Sequence, residues 1–198
     1  MAGDGQQGRV GSFVERLGSL PAVATVLTSI IALYMTLVAF GNITDFGTNQ
    51  QFVQHVLEMD TTFNDDDVMW RAIENDTLQN IGYVGVIVWE TLTALVLLYA
   101  AWQLFKRLRG GGDWTRARRV ASVGMLMVIL LFGLGFITIG GEWFSMWQSS
   151  EWNGLEPALQ NVILAAFALI LVQLPSRDWT VGRHIAADDR PSPEHAKA

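Results

Sequence analysis

The chain has 198 residues, enough for one domain or one small helical bundle. With 51% hydrophobic residues, 16% charged residues and a mean hydropathy of +0.29, it is too apolar for an ordinary soluble domain. The absence of cysteine excludes disulfides, thiolate metal ligands, iron–sulfur clusters and a cysteine nucleophile, and the formal charge of −6 argues against nucleic acid as a partner.

Four apolar runs can cross a hydrocarbon core of about 30 Å, which takes ~20 mostly apolar residues. The pattern predicts an all-α integral membrane protein, a four-transmembrane-helix bundle with short helices in the first outer loop. The spans fall at about 20–41, 81–105, 120–140 and 157–174 within a membrane domain over 20–175. Residues 1–19 and 176–198 are expected as cytoplasmic tails, 42–80 and 141–156 as outer loops, and 106–119 as the inner loop. The composition of 1–12 and 184–198 suggests disorder.

The first run exceeds the usual signal-peptide core of about 7–15 residues and lacks a clean small-x-small site, so it reads as a retained helix. Ala22, Thr25, Ser29, Ala32, Thr36 and Ala39 share one of its faces. That face is expected to be a packing seam, with a polar permeation path along Thr25, Ser29 and Thr36 as the lesser alternative.

The 42–80 loop is long for a structureless connection. Phe52, Val53, Val56 and Leu57 fall at helical spacing, which predicts a short amphipathic helix from near Thr48. Asn64 and Asp65–Asp67 precede Val68-Met69-Trp70 and predict the cap of a second short helix. The Asp65–Asp67 cluster lacks the glycine and closing acid of a calcium loop. His55 and Glu58 share a helical turn, but no third ligand follows at useful spacing, so no metal or other cofactor is expected.

In the second run Glu90 is the one ionisable side chain well inside a span. A charged residue at a helix centre costs about 2.5–3.5 kcal/mol on insertion scales. Tyr83, Val86, Glu90, Ala94, Leu97 and Ala101 share a face, which points Glu90 into the bundle. Placed near the midplane, it has Ser29 as the expected hydrogen-bond partner. A structural role for Glu90 ranks above ligand, proton or ion binding, because relays usually carry several such groups.

Lys106, Arg107, Arg109, Arg116, Arg118 and Arg119 crowd the next connection, whereas 42–80 holds one base, Arg71, against eight acids. Lys and Arg are retained on the cytoplasmic side, so both termini and the 106–119 loop are expected inside, facing anionic lipid headgroups. Gly124, Val128, Leu131, Gly135 and Thr138 in the third run, and Ala158, Asn161, Ala165 and Ala168 in the fourth, offer further seams. No histidine lies in any run, which rules out bis-histidine haem in the bundle, and no nucleophile elbow, Walker loop or dinucleotide fingerprint appears.

Three stretches carry a family resemblance. Asn42-Ile43-Thr44-Asp45-Phe46, Phe52 to Leu57, Met59 to Phe63 and Trp70-Arg71-Ala72-Ile73 make up the first. Gly140 to Ser149 with Trp152-Asn153-Gly154 make up the second, and Glu90-Thr91-Leu92-Thr93-Ala94 the third. Over roughly 20–175 the chain resembles the predicted small bacterial integral membrane proteins called domain of unknown function 2165. Phe46 stands where that family's pattern has tyrosine, and Leu155 where it has glutamine. The resemblance implies a bacterial plasma (inner) membrane protein and no established activity.

It also directs attention to the outer loops and Glu90. If Glu142, Trp143, Trp147 and Trp152 fold against His55, Asp60, Trp70 and Arg71, they form a cap that docks a partner or lines a ligand site. Glu90, Ser29 and Tyr83 are the intramembrane candidates. The first expectation is a non-enzymatic accessory or scaffold subunit of a larger membrane complex, respiratory or transport-related, with membrane lipids and other membrane subunits as partners. The alternative is binding or transport of a small molecule, lipid or ion between cap and Glu90.

Overall fold

The computed structural model describes residues 14–15 and 17–179. The compositional tails 1–12 and 184–198, and with them Arg9, Arg183, His184 and His195, lie outside the described residues, as does Arg16. Among the described residues, four helices are long and apolar enough to cross a membrane. We label the elements α1 (Leu20–Thr44), α2 (Phe46–Glu58), α3 (Asp76–Gly110), α4 (Thr115–Ile129) with its π-helical continuation Leu130–Trp143, and α5 (Leu155–Gln173).

Pro21 opens α1, where its missing N–H costs nothing, and Asp45 closes it, its backbone N–H donating to the Gly41 carbonyl at 2.8 Å. The turn at Asp45 hands the chain straight to α2. Met59 ends α2 in a left-handed conformation (φ 56°) while fully buried. The expected second short helix is only a 3-10 turn, Met69–Arg71, because Asp65 folds back to accept from the Asp67 N–H at 3.0 Å. Asn75 then caps α3, accepting from the Leu78 N–H at 3.1 Å, with Asp76 in the first turn and Arg107 and Arg109 in the last. Each end of the helix dipole therefore meets the charge it favours.

α3 runs over 35 residues and α5 over only 19. The helix opened by α4 changes its ladder at Leu130 and remains π-helical for 14 residues. The Thr138 hydroxyl and the Phe144 N–H both reach back five residues, to the Gly133 and Ile139 carbonyls. Such stretches are rare and cluster at functional positions.

The spanning helices close a ring in which α1 packs on α3 and α5, and α4 packs on α3 and α5. Met35, Leu97, Met125, Val128 and Ala165 form its interior. Close approach depends on small residues, since a Cβ on Gly124 would lie 2.5 Å from Leu97 Cδ2. Polar ties cross the apolar region: Asn161 donates to the Tyr34 hydroxyl at 3.0 Å, and the Trp89 indole donates to the Met127 carbonyl at 3.0 Å. Outward, Val26, Ile30, Leu33, Leu37, Leu164, Phe167 and Ile170 stay exposed, as lipid-facing side chains do.

The α1 seam is split. Ala22, Thr25, Ala32 and Ala39 are buried, whereas Ser29 is exposed. The Thr25, Ser29 and Thr36 hydroxyls each donate to the carbonyl four residues back, at 2.7, 2.8 and 2.7 Å. Their protons are spent on their own helix.

Candidate functional site

The connection over 45–75 covers one end of the bundle, the cap side. Near that end Glu90 is 2% exposed, and its Oε2 accepts from Asn42 Nδ2 at 2.6 Å. Tyr83, also 2% exposed, donates its hydroxyl to the Asn42 carbonyl at 3.2 Å and packs its ring 4.7 Å from Phe46. Asn42 therefore holds both intramembrane candidates of α3, one through its side chain and one through its backbone.

The expected partner Ser29 is not at the site. Asn42 lies thirteen residues beyond Ser29 on α1, about 20 Å at ~1.5 Å per residue. The physical reason is the start of α3. With Asn75 as its cap, the helix begins at Asp76 rather than Ile81, and Glu90 comes level with the last turns of α1. Glu90 therefore stands level with Asn42 rather than with Ser29.

Glu90 lines a cavity of about 280 Å³ with Asn42, Asn49, Tyr83, Asn153 and Gly154. An apolar cavity of about 350 Å³ adjoins it, and Phe52, Val53, Val86 and Phe136 wall both. The predicted amphipathic face of α2 supplies Phe52, Val53, Val56 and Leu57 to the apolar cavity. The π-helical segment supplies Leu131, Gly135, Phe136, Ile139 and Gly140. Gly154 lets the chain pass close to α2, since a Cβ there would fall 2.9 Å from Phe52 Cζ.

α2 is fastened over these cavities by polar contacts. Gln50 donates to Asn80. Gln79, fully buried on α3, donates from Nε2 to Glu58 at 2.9 Å and to the Ile73 carbonyl at 2.7 Å. His55 stacks on Trp152 (4.5 Å between ring centres), and Trp152 sits edge-on to Phe52.

Only part of the expected cap assembles as one unit. His55, Asp60 and Trp152 come together, with His55 Nδ1 2.7 Å from Asp60 Oδ2. Trp70, Arg71 and Trp143 form a second cluster, the two indoles 5.6 Å apart and the guanidinium 5.6 and 5.0 Å from their rings. Trp147 packs on Phe63 instead of either cluster, and Glu142 is exposed beside Trp143.

Sequence spacing left His55 and Glu58 without a third metal ligand, and here the structure differs. The left-handed turn at Met59 returns Asp60, so that His55, Glu58 and Asp60 each offer a ligand atom within 4.8 Å of the others. Glu58 and His55 nevertheless have protein partners, Gln79 and Asp60.

Asn42, Asn49 and Asn153 were not singled out as site residues by the sequence. Asn42 and Asn153 do lie inside the stretches of family resemblance, and that was the available signal.

A family model described as predicted small integral membrane protein (DUF2165) matches residues 20–175. No curated protein and no solved structure matches the chain.

Proposed function

The chain belongs to the DUF2165 family of predicted small integral membrane proteins, and from that premise we propose that it binds a small amphipathic molecule between the α2 cap and Glu90. The observation that carries this reading is the pairing of two cavities: one is lined by a buried acid and asparagines, and the other by apolar side chains alone. Ligand sites are typically concave and mostly apolar, with a few convergent polar groups, in volumes of about 300–1,000 Å³.

Binding comes ahead of the accessory-subunit reading, which ranked first on sequence. The latter retains one supporting observation, the exposure of Phe63, Trp70 and Trp147 on the cap, since exposed aromatics are enriched in interfaces. The lack of a nucleophile elbow, Walker loop or dinucleotide fingerprint in the sequence is the support for a non-enzymatic role. Loop charge supports cytoplasmic termini with the acidic cap outward, and a bacterial plasma membrane location rests on the family resemblance alone.

Mild extraction followed by native mass spectrometry separates the two readings. Binding predicts a bound small molecule that disappears in Gly135→Leu, whose side chain would fill the apolar cavity. Gly135 lines that cavity, and a Cβ there meets nothing closer than 4.0 Å. Stoichiometric protein subunits with no such molecule would favour the accessory reading instead.

A further inference from the structure

Resting on the binding reading, we infer that the ligand is a cationic amphiphile, an ammonium head at Glu90 with one short apolar tail under α2. Glu90 is an acid with no cation of its own. Among the described residues no base pairs with Glu90, and its carboxyl has one side-chain donor, Asn42. Acids inside membrane proteins normally pair or serve a pathway. The remaining polar lining of its cavity, Asn42, Asn49, Tyr83 and Asn153, is uncharged. A positive charge from outside the chain completes the site, and a charge-assisted hydrogen bond is about twice as strong as a neutral one.

The surroundings select in the same direction. Phe52, Tyr83 and Phe136 bring aromatic rings to the head cavity, and ring faces attract ammonium groups. The 42–80 segment that carries the cap holds eight acids against one base, Arg71, a negative field that repels carboxylates and phosphates and gathers cations. A bare metal ion or a small polar amine would leave the apolar cavity unused. At ~30 Å³ per water-sized group, the cavity of about 350 Å³ holds on the order of ten methylenes.

The test uses the full chain in nanodiscs and equilibrium dialysis against octylammonium, octanol and octanoate, with empty nanodiscs as the background. Octylammonium is expected to bind at one per chain and about tenfold more tightly than octanol, with octanoate weakest. Glu90→Gln, which keeps an acceptor for Asn42, should lower octylammonium binding about tenfold and octanol binding far less, with the melting temperature retained. Gly135→Leu should abolish saturable binding of both.

Equal binding of octanol and octylammonium, lost in Gly135→Leu, would overturn the cationic head and leave the cavity reading standing. Preference for octanoate would overturn it likewise. Saturable binding that Gly135→Leu does not change would defeat the cavity reading and this inference together. The comparison of three head groups on the unaltered chain decides the matter even if Glu90→Gln fails to fold.

Discussion

Asn42 and Glu90 are 48 residues apart in sequence, on different helices, and their side chains meet at 2.6 Å. The contact ties the end of α1 to the middle of α3 at the depth where the polar cavity opens. Interhelical hydrogen bonds in membranes measured by double-mutant cycles average about 0.6 and reach ~1.7 kcal/mol. A cycle of Asn42→Ala and Glu90→Leu should therefore show a coupling of about 0.6–1.7 kcal/mol in mixed-micelle unfolding. Additive effects would mean that the pair contributes nothing of its own.

This pairing also marks where sequence reading stops. Long apolar runs disclose spans because hydrocarbon imposes a length, and the α2 face was visible because Phe52, Val53, Val56 and Leu57 keep helical spacing. Glu90 stood out as a lone acid in an apolar run. Its partner did not, because the relative height of two helices depends on where each begins, and periodicity records rotation but not height. The π-helical ladder after Leu130 was equally silent, since Leu, Phe, Ile and Gly suit either ladder. The return of Asp60 to His55 depends on one left-handed residue, Met59, which carries no glycine or asparagine to announce it.

Gly124 should be intolerant of any side chain. A Cβ there would lie 2.5 and 2.8 Å from Leu97 Cδ2 and Cγ, inside the fully buried α3–α4 contact. Overpacking of this kind costs about 1–3 kcal/mol, so Gly124→Ala should lower the melting temperature, and Leu97→Ala in the same chain should restore part of it. Gly85, with nothing within 4 Å of its Cβ, serves as the control. There alanine should be neutral or stabilising by up to about 1 kcal/mol.

Gly154→Val should loosen the seat of the cap. The new Cβ would meet Phe52 Cζ at 2.9 Å and Phe136 Cδ1 at 3.3 Å, and the expected relief is a shift of Phe52 and, with it, of α2. Hydrogen exchange across residues 46–58 should accelerate, while that of the α3 core around Leu97 stays slow. Unchanged exchange in α2 would show that its seat is set elsewhere.

The lack of cysteine makes topology directly measurable. Asp66→Cys lies on the exposed cap, and Gly110→Cys lies at the other end of α3 with open space around its Cβ. In intact cells a membrane-impermeant maleimide should label the first and reach the second only after permeabilisation. The reverse pattern would invert the proposed orientation.

The unequal lengths of α3 and α5 have a consequence for the surrounding lipid. At ~1.5 Å per residue, α3 measures about 52 Å and α5 about 28 Å. One spanning helix thus exceeds the ~30 Å hydrocarbon thickness while another barely matches it. A bilayer beside α5 would thin slightly to match it, and the longer helix would lean or carry its ends into the headgroups. Hydrophobic mismatch gives the protein a preference among membranes of different thickness, and reconstitution in lipids of graded acyl length should reveal it as an optimum in thermal stability.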